Sequence, residues 1–216
     1  MRTQNDPCNL VDTLGQQFHV CAFFNGIEEQ YSVLRSYIAA GFDSGEKAFH
    51  LVDPELRDEH LKRLGEVGVD VEAALASGQL EVRLWQDSYL RDGQFDQDAM
   101  LAWLREQFES IVAAGFQRAR LIAHMEWWLL DELVGDSLFE YEARINLMMP
   151  RYGNAAICTY ELPKLKASMM IDLLRTHPLV IIGGLLQSNP FFVPPEQFLR
   201  EIRERRSVSD AAGGVD

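Results

Sequence analysis

The sequence predicts an α/β fold: a three-layer arrangement in which a mostly parallel sheet carries helices on both faces. Short apolar, β-branched runs alternate in order with longer amphipathic segments, the pattern of consecutive βαβ units. The chain has 216 residues, 47% of them hydrophobic, which suits one large domain better than two small ones.

The first unit sets the frame. An apolar strand over 18–24 meets a turn at Asn25-Gly26, a helix over 27–42, a Gly-bearing turn and a second apolar strand over 47–52. Ile27, Tyr31, Leu34 and Ile38 recur at helical spacing, and Asn25 with Glu28 has the form of a capping box. Residues 1–17 lack periodicity and read as a flexible arm.

Pro54 opens a helix reaching about residue 65, a short helix follows over 71–76, and the third strand is 80–85. Asp96 is a good N-cap for a helix carrying Met100, Leu104, Phe108 and Ile111, which Gly115 stops. Strand four, 119–125, runs into Glu126-Trp127-Trp128; Ser137 and Glu140 form a second capping-box pair, and the helix they open ends before Gly153. Strand five spans 155–160, a helix spans 164–175, and a sixth strand over 179–182 breaks at Gly183-Gly184. Between Asn189-Pro190 and Pro194-Pro195, residues 191–193 read as a short extended piece or edge strand. A helix over 196–206 and a disordered tail over 207–216 complete a single domain spanning 18–206.

A net charge of −13 argues against direct nucleic-acid or anionic-membrane binding, which needs clustered Lys and Arg. Arg200, Arg203, Arg205 and Arg206 are interleaved with Glu196, Glu201 and Glu204, so the last helix reads as solvated and internally ion-paired. Cys8, Cys21 and Cys158 are odd in number and lack C-x-x-C spacing, which fits a reducing cytoplasm. The longest apolar runs, near Trp127 and Leu179, fall short of a membrane span.

The first strand-to-helix turn is where a nucleotide hydrolase places its phosphate loop, with glycines for close backbone approach, Lys for charge and a hydroxyl for magnesium. Here the turn reads Asn25-Gly26-Ile27-Glu28-Glu29, without that lysine. Acids in the first helical turn complement the helix dipole and repel a phosphate. No cofactor is therefore expected, no ligand spacing supports a metal, and no nucleophile-base grouping supports an enzyme.

Ligand candidates gather where the strands' carboxyl ends should open a crevice. Glu126 and Trp127 follow strand four, Tyr89 follows strand three, Tyr160 ends strand five, and Asn25 sits in the first turn. A carboxylate beside an indole can hold the polar head and apolar body of a small molecule. His19 and Cys21 share one face of the first strand, and His177 or Cys158 would extend them into a metal site. Ligand spacing is absent, however, so the simpler reading makes them buried structural residues.

The strings at 19–24 (HVCAFF), 45–53 (GEKAFHLVD), 89–96 (YLRDGQFD), 125–127 (MEW), 140–142 (EYE), 156–160 (AICTY), 176–178 (THP) and 189–195 (NPFFVPP) resemble the MEDS domain, the sensory domain of methanogens, methylotrophs and the dichloromethane regulator DcmR. The resemblance implies a RecA/KaiC-like fold with a degenerate phosphate loop. It also implies a sensor of small molecules, proposed to be hydrocarbon derivatives, and adds Glu142 to the ligand candidates. Such domains are usually fused to a DNA-binding or histidine-kinase module; with no room for one here, a signal is expected to reach a histidine kinase or transcription regulator in trans. Two rivals are a divergent nucleotide hydrolase using Glu126 and a homodimeric interaction module whose crevice its own Trp and Phe side chains fill.

Overall fold

The structure is a computed structural model that describes residues 18–130 and 134–213, with side chains over 19–130 and 134–207. The expected arm over 1–17 and residues 214–216 lie outside the described residues. The strands are β1 (Phe18–Phe24), β2 (Lys47–Val52), β3 (Leu80–Leu84), β4 (Ala119–His124), β5 (Ala155–Glu161), β6 (Leu179–Ile182) and β7 (Leu185–Ser188). The helices are α1 (Ile27–Asp43), α2 (Arg57–Glu66), α3 (Val71–Ala76), α4 (Gln97–Ala113), α5 (Gly135–Met148), α6 (Ala167–Thr176) and α7 (Pro195–Gly213).

All seven strands form one sheet in the order β3-β2-β4-β5-β1-β6-β7, parallel except for β7. Alternation along each strand sorts side chains between two cores. Val20, Ala22, Phe24, Ile122 and Ile157 pack under α1, α2 and α3. Cys21, Phe23, Leu121, Cys158 and Tyr160 pack under α4, α5, α6 and α7. From β1 the chain leaves across one face of the sheet, while from β5 it leaves across the other. The topological switch point thus lies between these adjacent strands.

Several local expectations are corrected. Asn25 does not cap α1: Gly26 is the N-cap, and Asn25 donates through both its backbone N–H and its side-chain amide to Glu29, at 2.7 and 2.8 Å. Glu28 instead ion-pairs with Arg63 on α2. α5 begins at Gly135 without a side-chain cap, so Ser137 and Glu140 form no capping box; Glu140 accepts from Arg206 at 2.8 Å. By contrast Asp96 accepts from the N–H groups of Asp98 and Ala99 at 2.8 and 2.9 Å, the expected cap of α4.

The edge strand is β7, not residues 191–193. Gly183 and Gly184 have φ of 57° and 75°, the two left-handed positions of a type I′ hairpin turn joining β6 to β7. Gly183→Ala should therefore cost about 1–2 kcal/mol, measurable by urea unfolding, because a Cβ is disfavoured in this backbone region. α7 runs on to Gly213, past the expected end at Arg206 and into the stretch expected to be disordered. Nor is it a free solvated helix. Phe198, Leu199 and Ile202 are buried in the core. Its charges bridge to other helices, Arg205 to Asp172 at 2.7 Å and Glu201 to Arg175.

Candidate functional site

Of the ligand candidates, Tyr89, Tyr160 and Glu142 lie within electrostatic reach of one another, while Asn25 and Glu126 are engaged elsewhere. Asn25 is exposed and occupied by Glu29. Glu126 does sit beyond β4, but its Oε1 accepts the backbone N–H of Glu161 at 2.8 Å, closing the end of β5. Burial raises its carboxyl pKa, partly opposed by hydrogen bonds from its own and Glu161's backbone and by nearby Lys164. Trp127 is 1% exposed and stacks on Tyr89 with ring centroids 4.5 Å apart, while Phe95 lies 4.7 Å away. The Tyr89 hydroxyl donates to the Met125 sulfur at 3.4 Å. These aromatics are core, packed against one another.

Glu142 and Tyr160 come together on the α5 side of the sheet, with Tyr89 nearby. There they join His19, Cys158 and His177, three residues whose spacing favoured a merely structural role. His19 projects from β1, Cys158 from β5, Glu142 from the middle of α5, and His177 from the connection between α6 and β6. Glu142 Oε2 lies 3.0 Å from His19 Nε2 and 3.5 Å from His177 Nε2. Cys158 Sγ is 3.4 Å from His19 Nε2. The two imidazoles are 4.0 Å apart between centroids, and the Tyr160 hydroxyl donates to Glu142 Oε1 at 3.2 Å.

Glu142, 0% exposed, is an acid inside a core, and the electrostatics follow from that. Burial raises the pKa of Glu142, with His177 and the Tyr160 hydrogen bond opposing. Burial likewise lowers His19 and His177 to about 3 and raises the Cys158 thiol. For His19 the neighbouring Asn146 side chain partly offsets the effect. His177 Nδ1 lies 2.8 Å from the Leu173 carbonyl, which can only accept, so that nitrogen carries the proton and Nε2 presents a lone pair to the cluster. His19 Nδ1, Glu142 Oε2 and His177 Nε2 lack a partner in hydrogen-bond alignment, an unusual concentration for a folded interior.

His19 also lines a cleft of about 320 Å³, together with Asn146, Met149, Pro178, Phe192 and Glu196. The cleft opens at the amino edge of β5, β1 and β6, opposite the edge predicted for the ligand. Its size falls at the lower end of small-molecule sites.

Glu142 was within reach of sequence reasoning as a core residue. Leu138, Tyr141, Glu142 and Ile145 follow i, i+3, i+4, i+7 spacing, which places a carboxylate in the apolar stripe of α5. Its basic sequence neighbour Arg144 does not reach it and pairs with Asp98 at 2.6 Å. Cys21 faces the same side as His19 yet is not one of the clustered donors; its thiol points to the Leu179 carbonyl at 3.7 Å.

On the other face, His50, His60 and His124 form a second buried group. His50 Nδ1 and His60 Nε2 are 2.8 Å apart, His60 Nδ1 meets the Tyr31 hydroxyl, and His124 Nε2 lies 3.2 Å from Gln30. All five histidines of the chain are thus buried.

The sheet order and layering define a three-layer α/β fold of RecA/KaiC-like architecture. The KaiC-like protein PH0186 from Pyrococcus horikoshii OT3 superposes with a TM-score of 0.55 at 16% identity, covering 76% of this chain and 71% of that one. At that identity the likeness establishes the fold alone. The chain belongs to the MEDS family, the methanogen/methylotroph, DcmR sensory domain, whose family model matches residues 18–178. The transcriptional repressor DcmR of Methylorubrum extorquens is 25% identical over 160 residues, 74% of this chain. Those residues span 57% of the repressor's length. Family membership makes this a sensory domain. Among the described residues no helix is long and apolar enough to cross a membrane.

Proposed function

We propose that this chain is a non-enzymatic sensory domain that binds a small molecule in the amino-edge cleft and passes occupancy to a regulatory partner protein, a transcription regulator or histidine kinase. The observation behind this reading is that His19 belongs both to the cleft wall and to the buried cluster with Glu142. An occupant with an apolar body would pack on Met149, Pro178 and Phe192, while its polar end would meet His19 and Asn146. Pro195 and Glu196, the first residues of α7, line the same cleft, so occupancy would reach this helix. Ligand-linked signalling needs that contact to differ between two states of the protein.

The degenerate phosphate loop supports the non-enzymatic part. Where a phosphate would approach the start of α1, Glu28 is held by Arg63 and Glu29 by Asn25.

A thermal-shift screen with small alcohols, carboxylic acids and halocarbons should find a ligand that raises Tm. Leu147 is 44% exposed and lines the cleft. Leu147→Trp should occlude the cleft and abolish that shift while leaving the unliganded Tm within a few degrees. Stabilisation by ATP and magnesium that disappears in Glu126→Ala would instead favour a nucleotide hydrolase.

A further inference from the structure

We propose that His19, Glu142, Cys158 and His177 form a binding site for one divalent first-row transition-metal ion, with Zn2+ the best match. One donor atom from each, two imidazole nitrogens, a thiol sulfur and a carboxylate oxygen, lie within 4.8 Å of one another, and all four residues are buried. A tetrahedral ion with bonds of about 2.0–2.3 Å separates its ligands by about 3.3–3.8 Å. Three of the donor pairs, at 3.0, 3.4 and 3.5 Å, lie around that range and the rest fall within 4.8 Å, so modest adjustments of the donors would accommodate an ion.

The orientation of the groups argues for a cation more strongly than their proximity does. With its proton fixed on Nδ1 by the Leu173 carbonyl, His177 aims a lone pair at Glu142 Oε2. Two acceptors facing each other in a dry interior call for something positive between them, either a proton or a metal ion. Orienting His through Nδ1–H to a carbonyl is the usual support of a metal-bound imidazole. The Tyr160 hydroxyl plays the corresponding role for Glu142 by engaging Oε1, which leaves Oε2 directed at the two histidines.

A mixed set of imidazole, thiolate and carboxylate donors suits Zn2+ and other ions of the later first row; magnesium and calcium prefer all-oxygen shells. Binding would release the Cys158 thiol proton to solvent as the sulfur becomes a thiolate ligand. The donors stand on two strands, a helix and a helix-strand junction, so the site is largely organised before an ion arrives. His19, in the cleft wall, marks the side from which an ion would enter. This assignment holds whatever small molecule occupies the cleft.

Cobalt(II) is the probe. The 216-residue chain loaded with Co2+ and desalted should retain one ion per chain and show the intense visible bands of tetrahedral cobalt with a near-ultraviolet thiolate-to-cobalt charge-transfer band. Cys158→Ser should abolish the charge-transfer band, whereas Cys21→Ser should preserve it. His177→Gln and Glu142→Gln should each weaken Co2+ binding by at least about tenfold, with folding checked by circular dichroism. X-ray absorption of the zinc-loaded wild-type chain should show a single sulfur among nitrogen and oxygen ligands, a readout independent of how the variants fold. Failure of the folded wild-type protein to retain Co2+, a charge-transfer band that survives Cys158→Ser, or a zinc shell without sulfur would each overturn the proposal, leaving a shared proton as the cation in the cluster.

Discussion

Acidification from about pH 7 to about pH 4.5 should unfold the protein cooperatively, with a stability slope near three protons from the His50, His60 and His124 group alone. Burial lowers His50 to about 3 and His124 to about 4, and lowers His60 well below its usual value. Neighbouring positive charge deepens the effect: His124 on His50, His50 and His124 on His60, and Lys164 on His124. The Tyr31 hydroxyl that faces this group from α1 stays neutral, its own pKa raised by burial.

The sign follows from proton binding. Folded-state values lie below the unfolded value of about 6.5, so from there down toward the folded values the unfolded chain holds more protons and stability falls with falling pH. Each histidine contributes about 1.4 kcal/mol per pH unit, and three contribute about 4. Two pH units would then remove about 8 kcal/mol, comparable to the whole stability of a typical domain. Urea titrations at a series of pH values measure this slope. In His50→Gln it should fall by about one proton, and an unchanged slope would show that His50 already protonates in the native state.

Phe198→Ala should cost about 3–5 kcal/mol, the range for deleting a buried aromatic ring. Phe198 is 0% exposed and meets Arg175 at 5.3 Å through its ring face, so the substitution loosens the anchor of α7 on α6 as well as opening a cavity. For a chain of this size the loss corresponds to a fall in Tm of about 6–20 °C. Arg206→Ala, which removes a partly exposed bridge to Glu140 and Asp136, should cost far less, about 0–1 kcal/mol. Comparable losses from both would mean that α7 is held by its charges and not by its apolar face.

The first six strands and all seven helices were legible because each follows a local period that burial enforces. β1 is sorted residue by residue between two cores, and α4 begins and ends where Asp96 and Gly115 place it. β7 was missed because Leu185–Ser188 is short and half-polar, as an edge strand is; its one strong signal was the Gly-Gly turn. The site was harder for a different reason. His19 and Cys158 lie 139 residues apart and meet only because β1 pairs in parallel with β5, a neighbour that no local spacing specifies. At Trp127 and Tyr89 the sequence left the choice open for a related reason. An aromatic after a strand can line a crevice or fill it, and here they fill it.

The position of α7 carries a mechanical consequence. Its 19 residues make a rod about 28 Å long, and its first turn stands in the wall of the cleft. A tilt of about 10° at that root sweeps the far end through roughly 5 Å, nearly the pitch of one helical turn. Under the proposed sensing role, the helix would act as a pointer. A molecule that touches only His19, Phe192 and Glu196 would then be read at the far end of the helix, far beyond its own contacts.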